Sequence, residues 1–414
     1  MPEFQPVRGT HDLLPDEHRR HAQVIATARA IAGRYGFAEM ATPIFEFTEI
    51  FARTMGETSD VVAKEMYSFT DKGGEGITLR PEYTAGIARA FVSNGLAQMV
   101  PVKVFAAGPM FRFERPQKGR QRQFHQIDVE VLGAAEPAAD IEVIALAADV
   151  LSELGIADRC TLELNSLGDA ESRLAYRAVL VGYFNDHRSR LSEDSLRRLE
   201  KNPLRILDSK DEGDRLVIEG APLITDHFNA ASSAFFAAVR EGLEALGIAY
   251  RLSPRLVRGL DYYSHTAFEF ATTALGAQGA VIAGGRYDGL IEQLGGPPTP
   301  SIGWAGGIER LALLAAAPPP PPRPLALVPL HGAAELPALR LAHALRGAGF
   351  AVDLAYKGNA AKRLKRANRV KAVCAVLLGE AELARGAALV RNLDSGAQEE
   401  VALDRLAHHL APYR

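Results

Sequence analysis

The stretch GPMFRFERPQKGRQRQFHQIDVEVLG, residues 108–133, places a basic loop between two strand-like segments. Residues 102–107 before it are largely apolar, and residues 126–132 alternate acidic with apolar side chains, so we predict a β-hairpin. A guanidinium makes two parallel hydrogen bonds to phosphate oxygens, and the aromatic residues among the charges suit a stacked base. The hairpin is therefore expected to bind a phosphate-bearing anion rather than to be a plain solvated turn. Its basic residues are Arg112, Arg115, Lys118, Arg120 and Arg122.

Length and charge divide the chain into an acidic body and a basic C-terminal part. At 414 residues the chain is long enough for two or three domains. The run PPPPPRP, residues 318–324, forms a stiff spacer and marks a domain boundary. Residues 324–414 carry 13 Lys or Arg against 8 Asp or Glu, a net +5, so the overall −3 leaves −8 for the body. This asymmetry indicates that the C-terminal part contacts nucleic acid.

Cysteine usage and hydropathy exclude several classes of protein. Cys160 and Cys374 each lie in an apolar run and are expected to be buried core thiols, and because the chain has no CxxC pair, no zinc site and no other metal site is indicated. The N-terminus lacks the charged start and apolar centre of a signal peptide, and no apolar run is long enough to cross a bilayer. We therefore expect a cytoplasmic protein without membrane contact.

Two further segments place charged side chains in apolar surroundings. Residues 77–80 read as a strand that leads into the helix of PEYTAGIARAF, with Glu82 and Thr84 at the junction. Glu82 either complements the helix dipole or receives a substrate amine, and this stretch alone favours the first role. Residues 256–270, LVRGLDYYSHTAFEF, are strand-like, so Arg258 and Asp261 should pair with each other or bind a charged ligand.

Glycines shape the segments that follow. AGGRYDGL, residues 283–290, predicts a close approach of the backbone to another backbone or to a ligand. SIGWAGGIERLALL, residues 301–314, predicts a strand, a Gly-Gly turn and a helix. Arg310 in the first turns of that helix is unfavourable for the helix dipole unless an anion such as phosphate binds there.

Beyond the proline run, strands and helices alternate, which predicts an α/β domain around a largely parallel sheet with a closing helix from residue 401. Residues 357–371 contain seven basic residues and no acid. They form either a solvated helix face or a contact for a nucleic-acid backbone, and the charge of the domain favours the second. The residues expected to contact nucleic acid are Lys362, Arg363, Lys365 and Arg366.

The absence of several well-known catalytic and nucleotide-binding motifs narrows the range of reactions that the chain could catalyse. The chain has no GxxxxGK[ST] phosphate loop, no dinucleotide GxGxxG after a strand, no HExxH and no nucleophile elbow. Arginines, glutamates and tyrosines remain as the conspicuous residues. This inventory favours transfer at a phosphorus centre, where positioning and charge neutralisation supply most of the catalysis.

Several of these stretches together resemble one family. PMFRFERPQKGRQRQFHQ resembles motif 2 of the class II aminoacyl-tRNA synthetases, SIGWAGGIERL resembles motif 3, and ATPIFE resembles motif 1. LVRGLDYY and AGGRYDGL resemble the two signatures of the histidyl-tRNA synthetase family, and LRPEYT and RGTHDLLP also fit it. The resemblance implies an α+β catalytic domain over residues 1–317, with an antiparallel sheet, flanking helices and a helical insertion at about 169–249. It also implies an anticodon-binding α/β domain over 325–414 and a homodimer formed through motif 1.

The resemblance implies that the substrates are ATP with Mg²⁺, L-histidine and tRNA(His). Arg112 would hold the α-phosphate and the histidine carboxylate, and Arg258 would neutralise the α-phosphate from another direction. Glu130 and Tyr263 would bind the imidazole. The other ATP residues would be Glu114, Arg120, Phe124 and Arg310. The other histidine residues would be Glu82, Tyr83, Thr84, Gln126 and Tyr262. Candidates for the tRNA acceptor end are Arg115 and Gln117.

Two alternatives stay open at this stage. One is a non-catalytic paralogue, the histidine-sensing regulatory subunit of ATP phosphoribosyltransferase, which usually lacks the C-terminal domain and the ATP arginines. The other is a class II synthetase for a different amino acid, against which LVRGLDYY and Glu130 argue.

Overall fold

The predicted hairpin is the centre of the fold. In the computed structural model, which describes residues 4–56, 59, 61–117, 119–257, 260, 262–276 and 279–414, two ten-residue strands pair antiparallel from Val102↔Leu132 to Phe111↔Gln123. The chain divides into two compact units, Met1–Pro318 and Pro319–Arg414.

The first unit contains ten helices and eleven strands among its described residues. The helices are α1 Pro15–Arg34, α2 Thr48–Met55, α3 Thr84–Ser93, α4 Pro137–Glu153, α5 Ala170–Asp186, α6 Glu193–Lys201, α7 Glu212–Ile218, α8 Ala230–Ala245, α9 Leu290–Gln293 and α10 Ile308–Leu314. The strands are β1 Ala38–Glu39, β2 Phe45–Phe47, β3 Tyr67–Thr70, β4 Gly76–Leu79, β5 Val102–Phe111, β6 Gln123–Leu132, β7 Thr161–Ser166, β8 Tyr250–Leu252, β9 Ser264–Ala271, β10 Ala280–Arg286 and β11 Ser301–Gly307.

The main sheet has eight strands in the order β1-β5-β6-β11-β10-β9-β7-β8. The six inner strands pair antiparallel, and β1 and β8 add a parallel pair at each edge. A second sheet has three antiparallel strands in the order β2-β4-β3. The antiparallel sheet with flanking helices confirms the predicted fold class.

The alternation of side chains along β6 separates the apolar core from the polar face. Ile127, Val129 and Val131 join one core with residues of α1, α4, α8 and α10. Successive residues of a strand point to opposite faces, so Asp128 and Glu130 lie on the other side of the sheet. The alternation of acidic and apolar residues along β6 therefore reflects one face that packs in the core and one polar face on the other side of the sheet.

The segment at 169–249 is helical and remains within the first unit. Helix α5 contributes Tyr176, Leu180 and Phe184 to the core on the polar side of the sheet, whereas α8 contributes Phe236 and Val239 to the core on the other side. Its helices therefore close both faces of the main sheet.

Residues 256–263 were predicted as part of a strand, and this is wrong for those that the structure describes. Strand β9 begins only at Ser264. Tyr262 and Tyr263 precede it and are buried in the core on the polar side. Their apolar character reflects that burial rather than pairing in the sheet.

The second unit contains an α/β sheet with the strand order β13-β12-β14-β15-β16. Its strands are β12 Leu325–Pro329, β13 Val352–Leu354, β14 Cys374–Leu378, β15 Ala387–Asn392 and β16 Gln398–Ala402. Its helices are α11 Glu335–Gly347, α12 Ala360–Arg369, α13 Glu380–Ala384 and α14 Leu406–His409.

Two details of the second unit differ from the prediction. Only β12, β13 and β14 are parallel, and β14, β15 and β16 pair antiparallel, so the sheet is mixed and not largely parallel. Val401 lies in β16 and not in a closing helix. Asn392 Oδ1 accepts hydrogen bonds from the backbone of Asp394 and Ser395, which forms the hairpin turn between β15 and β16. The residues of this turn therefore indicated a hairpin between β15 and β16. The prediction missed it because it was based on the alternation of strands and helices.

Candidate active site

The polar face of the main sheet borders a cavity of about 270 Å³ in the first unit. It is lined by residues that are far apart in the sequence: the 112–126 hairpin, the start of α3, residues 262–263 and the start of α10. The predicted site residues that line it are Glu82, Thr84, Arg112, Glu114, Arg120, Phe124, Gln126, Tyr262, Tyr263 and Arg310. The structure therefore brings most of the predicted ATP and histidine residues into one cavity.

One end of the cavity is cationic. Arg112 donates from Nε to the carbonyl of Pro81 at 2.9 Å, and its guanidinium lies 5.3 Å from the centroid of the Phe124 ring. Arg120 Nε lies 2.9 Å from Glu114 Oε2. Burial and then the charge of Arg120 lower the pKa of Arg310. This end holds more positive than negative charge, which suits a polyanion.

The other end is acidic and aromatic. Glu82 accepts the backbone N–H of Ala85 at 2.7 Å and of Thr84 at 3.1 Å, and the Tyr262 hydroxyl lies 3.3 Å from it. Burial raises the pKa of Glu82. Glu82 thus caps α3 as the helix-dipole interpretation predicted, and it also faces the cavity.

Gln126 offers an acceptor at the same end. Its Oε1 is buried and has no hydrogen-bond partner among the residues that the structure describes. A buried amide oxygen without a partner costs free energy, so a ligand with an N–H group would satisfy it.

Glu130 lies behind the floor of this end and does not line the cavity. The Thr84 hydroxyl donates to its Oε1 at 2.6 Å, and the Tyr287 hydroxyl donates to Oε2. Burial raises the pKa of Glu130 to about 8. Gly303 lies directly over it, and a Cβ at that position would overlap its carboxylate. For Glu130 to bind imidazole as predicted, the hydroxyl group of Thr84 or Tyr287 must therefore give up its hydrogen bond to the Glu130 carboxylate.

Tyr287 and Asp128 are the residues that sequence reasoning missed. Tyr287 lines the cavity and bonds Glu130, and its place in AGGRYDGL was the available signal. Asp128 is 1% exposed, and its carboxylate oxygens have no partner among the described residues. Burial and then Glu130 raise the pKa of Asp128 well above its usual range, which favours its neutral form.

The glycines of AGGRYDGL act as predicted. A Cβ at Gly284 would meet the carbonyl of Gly303 at 2.1 Å, and one at Gly285 would meet the ring of Tyr263 at 2.9 Å. Arg286 anchors the segment through a buried ion pair with Asp140. These contacts hold Tyr263 and Tyr287 at the cavity.

Tyr83 is a correction to the predicted histidine residues. It is 1% exposed and lies outside the cavity lining, because its hydroxyl accepts a hydrogen bond from Arg80 Nη2 at 2.9 Å. The Arg80 guanidinium also stacks 4.1 Å from its ring centroid. Residues 82 and 84 face the cavity while residue 83, at the start of α3, points into the core.

Several predictions lie elsewhere or outside the described residues. Arg258, Asp261 and Lys118 lie outside the described residues, so their roles stay predictions. Arg115 and Gln117 are exposed on the hairpin loop, where Gln117 and Arg120 form a two-way backbone bridge.

The basic helix α12 differs from the predicted row of exposed cations. Arg363 is 6% exposed and donates to the carbonyls of Pro329 and Gly358 and to Glu335. Arg366 makes two hydrogen bonds to Asp353. Arg363 is thus wrong as an exposed phosphate contact, and Arg366 is already paired. Lys362 and Lys365 are exposed as predicted.

In a comparison with known protein families, the chain matches two family profiles. One, described as histidyl-tRNA synthetase, covers residues 9–311, and the other, described as anticodon binding domain, covers residues 325–411. The histidine–tRNA ligase of Rhodospirillum rubrum is 63% identical over the full length of both chains. That of Gluconacetobacter diazotrophicus is 59% identical over 99% of each chain. A crystal structure of apo histidyl-tRNA synthetase from S. aureus is 34% identical, with a TM-score of 0.82 over 98% of this chain and 99% of that one.

Among the described residues, no helix combines the length and apolar character needed to cross a membrane.

Proposed function

Because the chain belongs to the histidyl-tRNA synthetase family of class II ligases, we propose that its cavity joins L-histidine to tRNA(His) through a histidyl-adenylate. ATP is the second substrate, and pyrophosphate and AMP are released. The observation that carries this proposal is the pairing, in one cavity, of a guanidinium end with an acidic and aromatic end. A triphosphate fits the first end, and an amino acid with a cationic amine fits the second.

In the first half-reaction, the histidine carboxylate attacks the α-phosphorus of ATP in line. A bond forms between the carboxylate oxygen and phosphorus, and the bond from phosphorus to the bridging oxygen of pyrophosphate breaks. Negative charge grows on the phosphorus oxygens, so Arg112 and Arg258 lower the barrier by neutralising it. Arg120 and Arg310 hold the β- and γ-phosphates, Phe124 stacks on adenine, and Glu114 accepts its amino group. Mg²⁺ accompanies ATP as part of this substrate.

Glu82, Thr84 and Gln126 hold the α-ammonium group of histidine. The unpartnered Oε1 of Gln126 and the carboxylate of Glu82, both in the cavity lining, supply the acceptors. This arrangement directs the substrate carboxylate toward Arg112.

Selectivity for histidine comes from Glu130, Tyr263 and Tyr287. An amino acid without imidazole leaves buried polar groups here without partners, which costs more than a lost contact. When imidazole enters, its N–H replaces one of the hydroxyl donors that now satisfy Glu130.

In the second half-reaction, a hydroxyl of the terminal adenosine of tRNA attacks the carbonyl of the adenylate, and AMP leaves. A phosphate oxygen of the adenylate takes the hydroxyl proton, since none of the described cavity residues stands out as a general base. Arg115 and Gln117 contact the acceptor end. Lys362 and Lys365 of the C-terminal domain contact the backbone of the anticodon arm.

We also propose that the chain acts in the cytoplasm as a homodimer through its three-stranded sheet. Phe45, Phe47 and Phe69 are 58%, 54% and 51% exposed on β2 and β3. Exposed aromatic clusters of this kind mark association surfaces. Sedimentation equilibrium should give twice the chain mass, and Phe47→Glu should shift it toward the monomer. A monomeric wild type at micromolar concentration would contradict this assignment.

The activity is tested by histidine-dependent exchange of pyrophosphate into ATP, followed by charging of purified tRNA with each of the twenty amino acids. We expect exchange and charging with histidine alone. A histidine-sensing paralogue would bind histidine but give neither, and a synthetase of different specificity would charge another amino acid. Retention of Arg112, Arg310 and the C-terminal domain already disfavours the paralogue.

A further inference from the structure

Outside the predicted ligand contacts, three potential metal ligands meet beside the cavity. His21 of α1, His125 of β6 and Glu309 of α10 each offer a ligand atom, and these atoms lie within 4.8 Å of one another. Two histidines and a glutamate form a ligand set typical of zinc, which leaves a fourth position for water. We propose that these three residues form a Zn²⁺-binding site. The proposal does not depend on the reaction assigned to the cavity.

The distances fit one small cation. His125 Nδ1 lies 2.8 Å from Glu309 Oε1, and the two histidine rings are 5.5 Å apart between centroids in an edge-to-face arrangement. Ligands about 2.1 Å from a tetrahedral zinc ion lie roughly 3.4 Å apart. The ligand atoms therefore need to move by about 1 Å or less, which side-chain torsions can supply.

His21 supplies the second observation. It is only 6% exposed, yet its Nδ1 has no hydrogen-bond partner among the described residues. A buried imidazole nitrogen without a partner is unfavourable, and a metal bond would satisfy it. His21 is therefore better explained as a ligand than as an ordinary core side chain.

The hydrogen bonds that hold Glu309 and the access route from solvent also suit a metal. Glu309 is held by the backbone N–H of His125, which donates to both of its carboxylate oxygens at 3.0 and 3.1 Å. Such outer contacts orient ligands. A surface cleft reaches His21 and Glu309, and its charged lining comprises Asp16, Glu17 and Arg20 together with His11, so an ion can reach the site from solvent. Bound zinc would tie together three elements that are distant in the sequence.

The test is a Zn²⁺ titration of the untagged, full-length protein by calorimetry, with thermal unfolding in the presence and absence of Zn²⁺. His21→Gln removes one ligand. His18→Gln is the matched control, because His18 is exposed on the same helix. Circular dichroism establishes that both variants fold, and visible absorption of the Co²⁺-loaded wild type reports the geometry of the site.

We expect wild type and His18→Gln to bind one Zn²⁺ ion per chain with the same Kd, and His21→Gln to bind at least about tenfold more weakly. Zn²⁺ should raise the Tm of the first two and leave that of His21→Gln unchanged. Equal Zn²⁺ affinity of His21→Gln and wild type, or no saturable binding by wild type, would overturn the proposal. Should His21→Gln not fold, a Co²⁺ spectrum of the wild type without tetrahedral bands would do so.

Discussion

The hairpin loop and helix α12 are both short, strongly basic segments, but the structure uses their arginines in opposite ways. In the hairpin, Arg112 and Arg120 line a cavity that also contains Arg310, and Glu114 lies 4.0 Å from Arg112 and 2.9 Å from Arg120. In α12, Arg363 and Arg366 are paired with Glu335 and Asp353 of their own unit. A cluster of arginines therefore predicts a ligand only where the fold leaves the charge without compensation.

The strongest way to test this comparison is to remove a cation from the cavity. Arg310→Ala should lower kcat/KM for pyrophosphate exchange by about 10² to 10³, because a charge that faces the triphosphate in the transition state is lost. Unfolding in urea should change little. Arg197→Ala, which removes an exposed arginine of α6, is the control and should leave exchange unchanged. Near-normal exchange by folded Arg310→Ala would remove it from the ATP site.

The opposite result is expected for the buried arginine of α12. Arg363→Ala should lower the free energy of unfolding by about 2–3 kcal/mol, since the buried carbonyl of Pro329 loses its donor and the carbonyl of Gly358 and Glu335 lose theirs nearer the surface. Lys365→Ala, about half a turn away and exposed, should leave stability within about 0.5 kcal/mol of wild type. Thermal and urea unfolding measure both. Equal stability of the two variants would show that Arg363 is not a structural anchor.

The buried carboxyl group of Glu130 tests the same rule, that the surrounding fold sets the free energy of a buried charge. Burial raises the pKa of Glu130 from its ordinary value of 4.5 to about 8, so the folded state retains a proton that the unfolded state releases. This contribution to stability is present below pH 4.5 and is lost as the pH rises toward 8. Between pH 6 and pH 8 the wild type should lose about 2 kcal/mol of unfolding free energy that Glu130→Gln does not lose. Urea titrations at both pH values check this, and parallel pH profiles of the two proteins would contradict it.

The smallest effect is expected at the exposed cations of α12. Lys365→Ala should weaken tRNA binding a few-fold and reduce the slope of log Kd against log salt concentration by about 0.7–1, the value for one phosphate contact. Pyrophosphate exchange without tRNA should not change. A salt series of binding isotherms measures the slope, and an unchanged slope would place the tRNA backbone elsewhere.

Sequence patterns predicted the parts of the fold where periodicity was long. The two strands of the β5–β6 hairpin each extend over ten residues and include the segments 102–107 and 126–132 that were predicted as strands. Short elements were less well predicted. Val401 belongs to a five-residue strand and Tyr262 to an apolar loop, because burial makes a segment apolar whether or not it pairs in a sheet.

The site shows the same division at the level of single residues. The arginines of the hairpin and Arg310 could be predicted, since basic residues within apolar segments require a partner. Tyr83 was misplaced, because it points into the core, whereas Glu130 lies behind Gly303 and its contact with imidazole stays a prediction. Tyr287 was not predicted, because AGGRYDGL signals a close approach of the backbone but does not tell which of its side chains faces the cavity.

The sequence by itself determined the chemistry available to this protein: the order of its strands and helices, the basic hairpin, the glycines that allow close approach, and the family to which they belong. Only the tertiary structure decided which charges stay uncompensated, because pairing depends on contacts such as Arg363 with Glu335 and Thr84 with Glu130, whose partners are 28 and 46 residues apart. It also decided that His21, His125 and Glu309 meet. Local patterns fix the conformation of a segment, whereas the free energy of a buried charge depends on everything that folds around it.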